Sequence, residues 1–314
     1  RIKKGETPMS EITLNQTRQS SLTQSKNISS PFSRIWQELR QKDGLSLFFY
    51  IIVRLAIFTS VATFAFIIGY ILYNGVGYLS PKLFELTYTS ENVSMMPAII
   101  NTITMVLLSL FIATPIAIFG AIFLEEYANS QSRAVRLIVV AAETLTGIPS
   151  IVYGLFGYLA FVIYFGFGFS FLAGALTLAI MVLPLILRNT QEAIKAVPIL
   201  YKEASFGLGA GMLRTIFVII LPCAISGILA GVILSVGRIV GESAALLYTA
   251  GTVAQVADIG DSGRTLSVHM YALLSEGQYM EQAYATAVIL LVIVIGINFV
   301  SNMLARYLDP NKLK

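Results

Sequence analysis

The residues able to do chemistry in this chain are few, and their types favour holding charge over breaking bonds. There is one cysteine, Cys223, and one histidine, His269, so neither a disulfide framework nor a Cys/His metal cluster can be assembled. No Gly-Lys dipeptide occurs, which removes the phosphate-cradling loop of P-loop ATPases, and no nucleophile stands beside a paired acid and base. No metal, cofactor or catalytic residue is expected in this chain. Charged side chains within apolar stretches are more informative, because a charge in lipid is costly and marks a pathway or a partner. Arg238 and Glu242, in RIVGESAALLYTAG, are spaced i, i+4 and would share one helical face. They read either as a self-satisfied pair at a helix end, or as an arginine that offers its fork of donors to a crossing anion while Glu242 holds it at rest. Two glycine-interrupted segments, Thr146 to Ser150 (TGIPS) and Gly241 to Ser243 (GES), could add backbone donors to such an anion. Broken helices at membrane depth line cavities, and their N-terminal ends favour negative charge. Glu143, just ahead of the first break, is either a pathway group or a buried carboxylate paired with an arginine. Arg54 reads as an anchor that snorkels towards headgroups.

The elements that must position these residues are membrane helices. The chain has 314 residues, 56% of them hydrophobic and 12% charged, with a mean hydropathy of +0.77, too apolar for a soluble domain. A spanning helix needs roughly 20 mostly apolar residues, and six stretches qualify: Leu47 to Leu72, Ala98 to Leu124, Val135 to Tyr164, Phe167 to Leu187, Ile216 to Val236 and Ala283 to Ala305. The predicted fold class is all-α, a polytopic bundle of six transmembrane helices. The excess of Lys and Arg in cytoplasmic loops orients it. Arg1, Lys3, Lys4, Arg18, Lys26, Arg34, Arg40 and Lys42, eight of the 21 basic residues, precede the first span and place the N-terminus inside. The loops with Arg133 and Arg136, and with Arg188, Lys195, Lys202 and Arg214, then also fall inside, as does the tail with Arg306, Lys312 and Lys314. The opposite loops hold only Lys82 and Arg264. The net charge of +4 is thus a matter of topology, and no nucleic-acid partner is expected. The polar N-tail is expected to be disordered, and no removable signal peptide is read.

Between the fourth and fifth predicted spans runs a long inside loop punctuated by Pro198, Gly207, Gly209 and Gly211. In it Glu203-Ala204-Ser205 is followed after three residues by Gly209, and after nine more by Ile219, Ile220, Leu221 and Pro222. This resembles the E-A-A-x-x-x-G-x(9)-I-x-L-P signature of binding-protein-dependent ABC importer permeases. The resemblance implies a MetI-like, type I importer fold, and a short coupling helix near 200–212 seated in a cleft of a separate ATPase. Small residues at 204, 205 and 209 allow two surfaces to approach closely, Gly209 lets the chain reverse, and Pro222 would kink the start of the next helix. Ser205 stands where alanine is usual.

The stretches ETLTGIPSIVYGLFG and RIVGESAALLYTAG are further similar to phosphate-transporter permeases, of the PstA type, from about Met96 to Arg306. That family has Gly-Glu-Thr-Ala-Pro where this chain has Gly241-Glu242-Ser243-Ala244-Ala245, keeping the hydroxyl and losing the proline. The resemblance implies a multi-pass protein of the bacterial inner membrane. Its partners would be a second, PstC-like permease, two PstB-like ATPases holding ATP and Mg, and an extracytoplasmic PstS-like phosphate-binding protein. The expected division is a tail over 1–46, a first helix and external loop over 47–97, an importer transmembrane domain over 98–306 and a tail over 307–314. Rival readings are a sulfate or molybdate importer, whose dianion would accept the same arginine, and an ion-coupled secondary transporter or channel using Arg238, Glu242 and Glu143 as a relay. The relay leaves the segment from Glu203 to Pro222 without a purpose.

Overall fold

A computed structural model describes residues 44–128 and 132–307. The basic N-terminal tail and Lys312 and Lys314 lie outside the described residues. The regular secondary structure is all helical, with no strand among the described residues. In the order of the chain the helices are α1 (Gly44–Gly75), α2 (Met96–Ile122), α3 (Arg133–Thr146), α4 (Ser150–Gly157), α5 (Phe171–Lys195), α6 (Ile199–Gly207), α7 (Met212–Thr215), α8 (Leu221–Gly241), α9 (Ala244–Thr249), α10 (Leu266–Glu276) and α11 (Met280–Tyr307). The chain separates into two units, 1–67 and 68–314. In the first, Arg54 on α1 folds back over the ring of Tyr50, 5.0 Å from its centroid.

Five helical runs are long and apolar enough to cross a membrane: Phe48–Tyr78, Met96–Tyr127, Phe171–Lys195, Met212–Gly241 and Met280–Met303. The third predicted span, Val135 to Tyr164, is different. It is two helices, Arg133–Thr146 and Ser150–Tyr164, meeting at 107°. Gly147, Ile148 and Pro149 make the corner because proline cannot donate to a continuing helix and drives the residue before it out of the helical region. Tyr153 fixes the corner by donating its hydroxyl to the carbonyl of Leu145, 2.7 Å away. The fourth span also runs further than expected, to Lys195 rather than Leu187. Its polar end stays helical because Thr190, Gln191 and Ile194 are buried against neighbouring helices.

The core of the second unit lies where α2, α5 and α8 pack together. On α2, Ala113, Ala117 and Ala121 recur every four residues and are fully buried, a small-residue stripe that lets helices approach closely in a membrane. Leu178, Met181 and Ile186 of α5 and Ile228 and Ile239 of α8 fill the facing space. Glycine serves the same purpose between α4 and its neighbours α9 and α5. A Cβ on Gly154 would lie 2.8 Å from the Cα of Ala245, and one on Gly157 would lie 2.1 Å from Oγ1 of Thr177.

Candidate coupling surface and anion pathway

The sequence motif from Glu203 to Pro222 folds into α6, a reversing turn, α7 and the start of α8. Helix α6 begins after Pro198 and ends in a left-handed turn. Gly209 has φ +82°, its N–H donates to the carbonyl of Phe206 at 2.9 Å, and the N–H of Ala210 donates to that of Ser205 at 3.1 Å. Only glycine adopts this conformation without strain, which gives the motif's glycine a backbone reason. Leu208 beside it is 90% exposed, and Glu203 and Ala204 are also at the surface. A groove of about 530 Å³ runs along this face, lined by Tyr201, Ala204, Leu208, Gly209, Arg214 and Ile219 among others.

Ser205, expected on the docking face, is the buried residue of α6 and lies at the base of this groove. Its hydroxyl is 2.8 Å from that of Thr215, so it ties α6 to α7. Helical periodicity is the reason: Glu203 and Ala204 point outward, and the next position turns towards α7. Pro222 stands in the first turn of α8, directly after a widened π turn over Ile216–Ile220. There its missing N–H is accommodated by the wide turn. Leu221 is half-buried in the same turn.

Both breaks predicted on the anion pathway are present, but the Arg238–Glu242 pair is not. Helix α8 ends at Gly241, and Glu242 has extended backbone, φ −76° and ψ 125°, so the i, i+4 geometry that would join the two side chains is lost. The carboxylate of Glu242 turns forward, its Oε1 accepting the N–H of Ala245 at 3.1 Å, as an acid at a helix start does. Its carbonyl accepts the hydroxyl of Ser267 at 2.6 Å. Ser243 is the residue before α9. Half-buried Arg238 makes no ion pair or hydrogen bond among the described residues, and its charge acts on the phenol of Tyr153 in α4. Tyr153, within electrostatic reach of that charge, lies in the helix that starts at Ser150. Thr146, on the other side of the corner, spends its hydroxyl on the carbonyl of Glu143 at 2.6 Å.

Glu143 pairs with an arginine, Arg188 of α5, at 3.0 Å. It is not buried, since its side chain is 51% exposed, and Arg188 is shared with Glu192 at 3.0 Å. Sequence reading missed a second charged cluster. Glu125 and Glu126 lie in a π turn, Phe123–Tyr127, that extends α2. Glu125 accepts from Gln191 at 2.8 Å and pairs with Lys195 at 3.1 Å, while Glu126 pairs with Lys202 of α6. Two adjacent acids at the end of a span, opposite a loop with two lysines, carried that signal.

Residues 113–314 match the family described as binding-protein-dependent transport system inner membrane component. Among curated relatives, the probable ABC transporter permease protein YqgI of Bacillus subtilis is 32% identical over 259 residues, covering 76% of this chain and 86% of the relative. The phosphate transport system permease protein PstA of Pasteurella multocida is 31% identical over 284 residues, covering 88% and 97%. A bacterial alginate ABC transporter, solved in complex with an alginate pentasaccharide-bound periplasmic protein, has a chain that superposes with a TM-score of 0.66 at 16% identity, covering 88% of this chain and 99% of that one. A chain of the inward-facing MetNI methionine ABC transporter gives 0.58 at 18% identity, covering 73% and 99%. These two likenesses establish the fold. With the family match spanning most of the helical bundle and relatives aligned nearly end to end, this multi-pass chain belongs to the family of inner-membrane permease components of binding-protein-dependent ABC transport systems.

Proposed function

We propose that this chain is the PstA-type permease subunit of an ATP-driven inorganic phosphate importer in a bacterial plasma membrane, with both termini cytoplasmic. It forms half of the pathway beside a PstC-like permease, and two PstB-like ATPases that hold Mg and ATP dock on α6. A PstS-like protein delivers phosphate from outside, and alternating access moves the anion past Arg238. The observation that carries the reading is the combination of an exposed, glycine-terminated α6 with an arginine, Arg238, that pairs with no carboxylate among the described residues and stands in the last turn before the break after Gly241. The phosphate assignment draws on the PstA-named relatives and on the fit of a guanidinium fork to tetrahedral oxyanions. No residue of this chain is assigned to ATP hydrolysis.

The test is reconstitution of the complex in proteoliposomes with the cognate capture protein. Radiolabelled phosphate uptake should require ATP, and equal uptake of sulfate would refute the substrate assignment. Glu203→Lys or Gly209→Trp should abolish co-purification with the ATPase. Arg238→Gln should lower uptake by about tenfold or more, the equivalent of ~1.4 kcal/mol, with assembly intact. Unimpaired uptake would return Arg238 to a purely structural role.

A further inference from the structure

Helix α2 is fastened at both ends by polar contacts that a membrane helix does not need for its own stability. At its C-terminal end the π turn presents two consecutive carboxylates, and adjacent helical positions diverge by about 100°, so the two acids reach different partners. Glu125 holds the last turn of α5 through Gln191 and Lys195. Glu126 holds Lys202 on α6. The side chain of Glu126 is only 4% exposed and that of Lys202 23%, so this is a sheltered pair, in which removal of one partner strands the other. Helix α6 is nine residues long, too short to persist without tertiary support, and Ser205 is its one buried residue. The Glu126–Lys202 pair and the Ser205–Thr215 contact are accordingly its main side-chain fastenings.

Asn101, near the other end of α2, is 1% exposed and pins the segment that leads into α10. Its Nδ2 donates to the carbonyls of Gln255 at 2.8 Å and Arg264 at 3.0 Å, and its Oδ1 accepts the N–H of Ala257 at 3.0 Å. One turn of contact is added by Thr102, whose Oγ1 accepts the N–H of Leu266 at 2.8 Å. Twenty-five residues separate Asn101 from Glu126 in one continuous helical run, or roughly 37 Å at 1.5 Å per residue. Between them the alanine stripe lets the helix bear on α5 along its length.

We propose that α2 is a transmission rod between the ATPase-facing helix α6 and the segment 255–266 at the opposite end of the bundle, with Glu126 and Asn101 as the positioning residues that couple its two ends. This rests on the reading of α6 as the ATPase contact. The run stays helical through Pro115, which lacks one backbone hydrogen bond but stands between the fully buried Ala113 and Ala117. A helix pinned at both ends and packed in this way moves both attachments together, so displacement of α6 reaches the far loop, and under the proposed function the docking of a loaded capture protein at that end reaches α6.

The experiment compares ATP hydrolysis by the reconstituted complex with and without the phosphate-loaded capture protein. The Glu126→Gln and Asn101→Ala complexes should each co-purify with the ATPase at the wild-type ratio. Each should lose at least about fivefold of the capture-protein stimulation, and with it phosphate imported per ATP hydrolysed. Because either change could also loosen the fold, the exchange Glu126→Lys with Lys202→Glu is the control, and it should restore stimulation to within about twofold of wild type. Wild-type stimulation in Glu126→Gln, loss of co-purification in that variant, or failure of the exchange to restore coupling would each overturn the proposal. Failure of the wild-type chain to co-purify with any ATPase would instead overturn the reading of α6.

Discussion

At the scale of single residues, burial decides which charges are available. Arg238 is left free because the helix carrying it stops three residues later, whereas Glu143 and Glu192 share Arg188. His269 on α10 shows the opposite treatment. It is fully buried, neither ring nitrogen has a hydrogen-bond partner among the described residues, and its ring meets that of Tyr88 edge-on at 6.2 Å. Burial, and then the charge of Arg264, hold its pKa down at about 3 from the ordinary 6.5, so it is neutral in the folded chain. An unfolded chain binds a proton there once the pH falls below about 6.5. The stability this histidine contributes is therefore complete above that pH and declines as the pH drops towards 3, by at most about 1.4 kcal/mol per pH unit. Thermal melting of the detergent-solubilised protein should show a lower midpoint at pH 5 than at pH 7.5, and His269→Phe should flatten that dependence. An unchanged slope in the variant would mean that other groups carry it.

At the scale of elements, close approach depends on missing side chains. Helices α4 and α9 touch at Gly154, where an added Cβ would meet backbone, the Cα of Ala245 at 2.8 Å and the carbonyl oxygen of Ala244 at 3.2 Å. Backbone cannot rotate aside as a flexible side chain can, so Gly154→Val should force the two short helices apart and cost about 1–3 kcal/mol. A fall in the melting temperature checks this, while Gly296→Val in α11, where a Cβ meets nothing within 4 Å, should leave it nearly unchanged. The helical runs themselves were legible in the sequence, because an 18-residue apolar stretch has few alternatives in lipid. Their ends were not: α5 runs on to Lys195 because Glu125 and neighbouring helices receive its polar residues. The short helix α10, with Leu266, Val268 and His269 buried, went unread because it is neither long nor strongly amphipathic.

At the scale of the whole molecule, one end of the second unit gathers α6, the π turn of α2 and the end of α5, and the family relationship makes this the ATPase-facing end under the proposed function. That orientation can be tested directly. With Cys223→Ser as background, Leu208→Cys should react with a membrane-impermeant maleimide in inverted vesicles and not in intact cells. Labelling from outside would reverse the topology. Composition and span count were enough to identify a polytopic helical membrane protein, since bilayer thickness and backbone hydrogen bonding leave so few architectures, and the resemblance of the segment from Glu203 to Pro222 to a known signature named the importer-permease family to which the chain belongs. The tertiary structure decided where the helical pattern stops. It turned the third span through 107°, released Arg238 from Glu242, moved Ser205 from the surface to the α6–α7 contact and joined Glu126 to Lys202 across 76 residues of chain. Residue spacing fixes which groups share a helix face only while the helix continues, and pairings between distant segments depend on packing that no local pattern records.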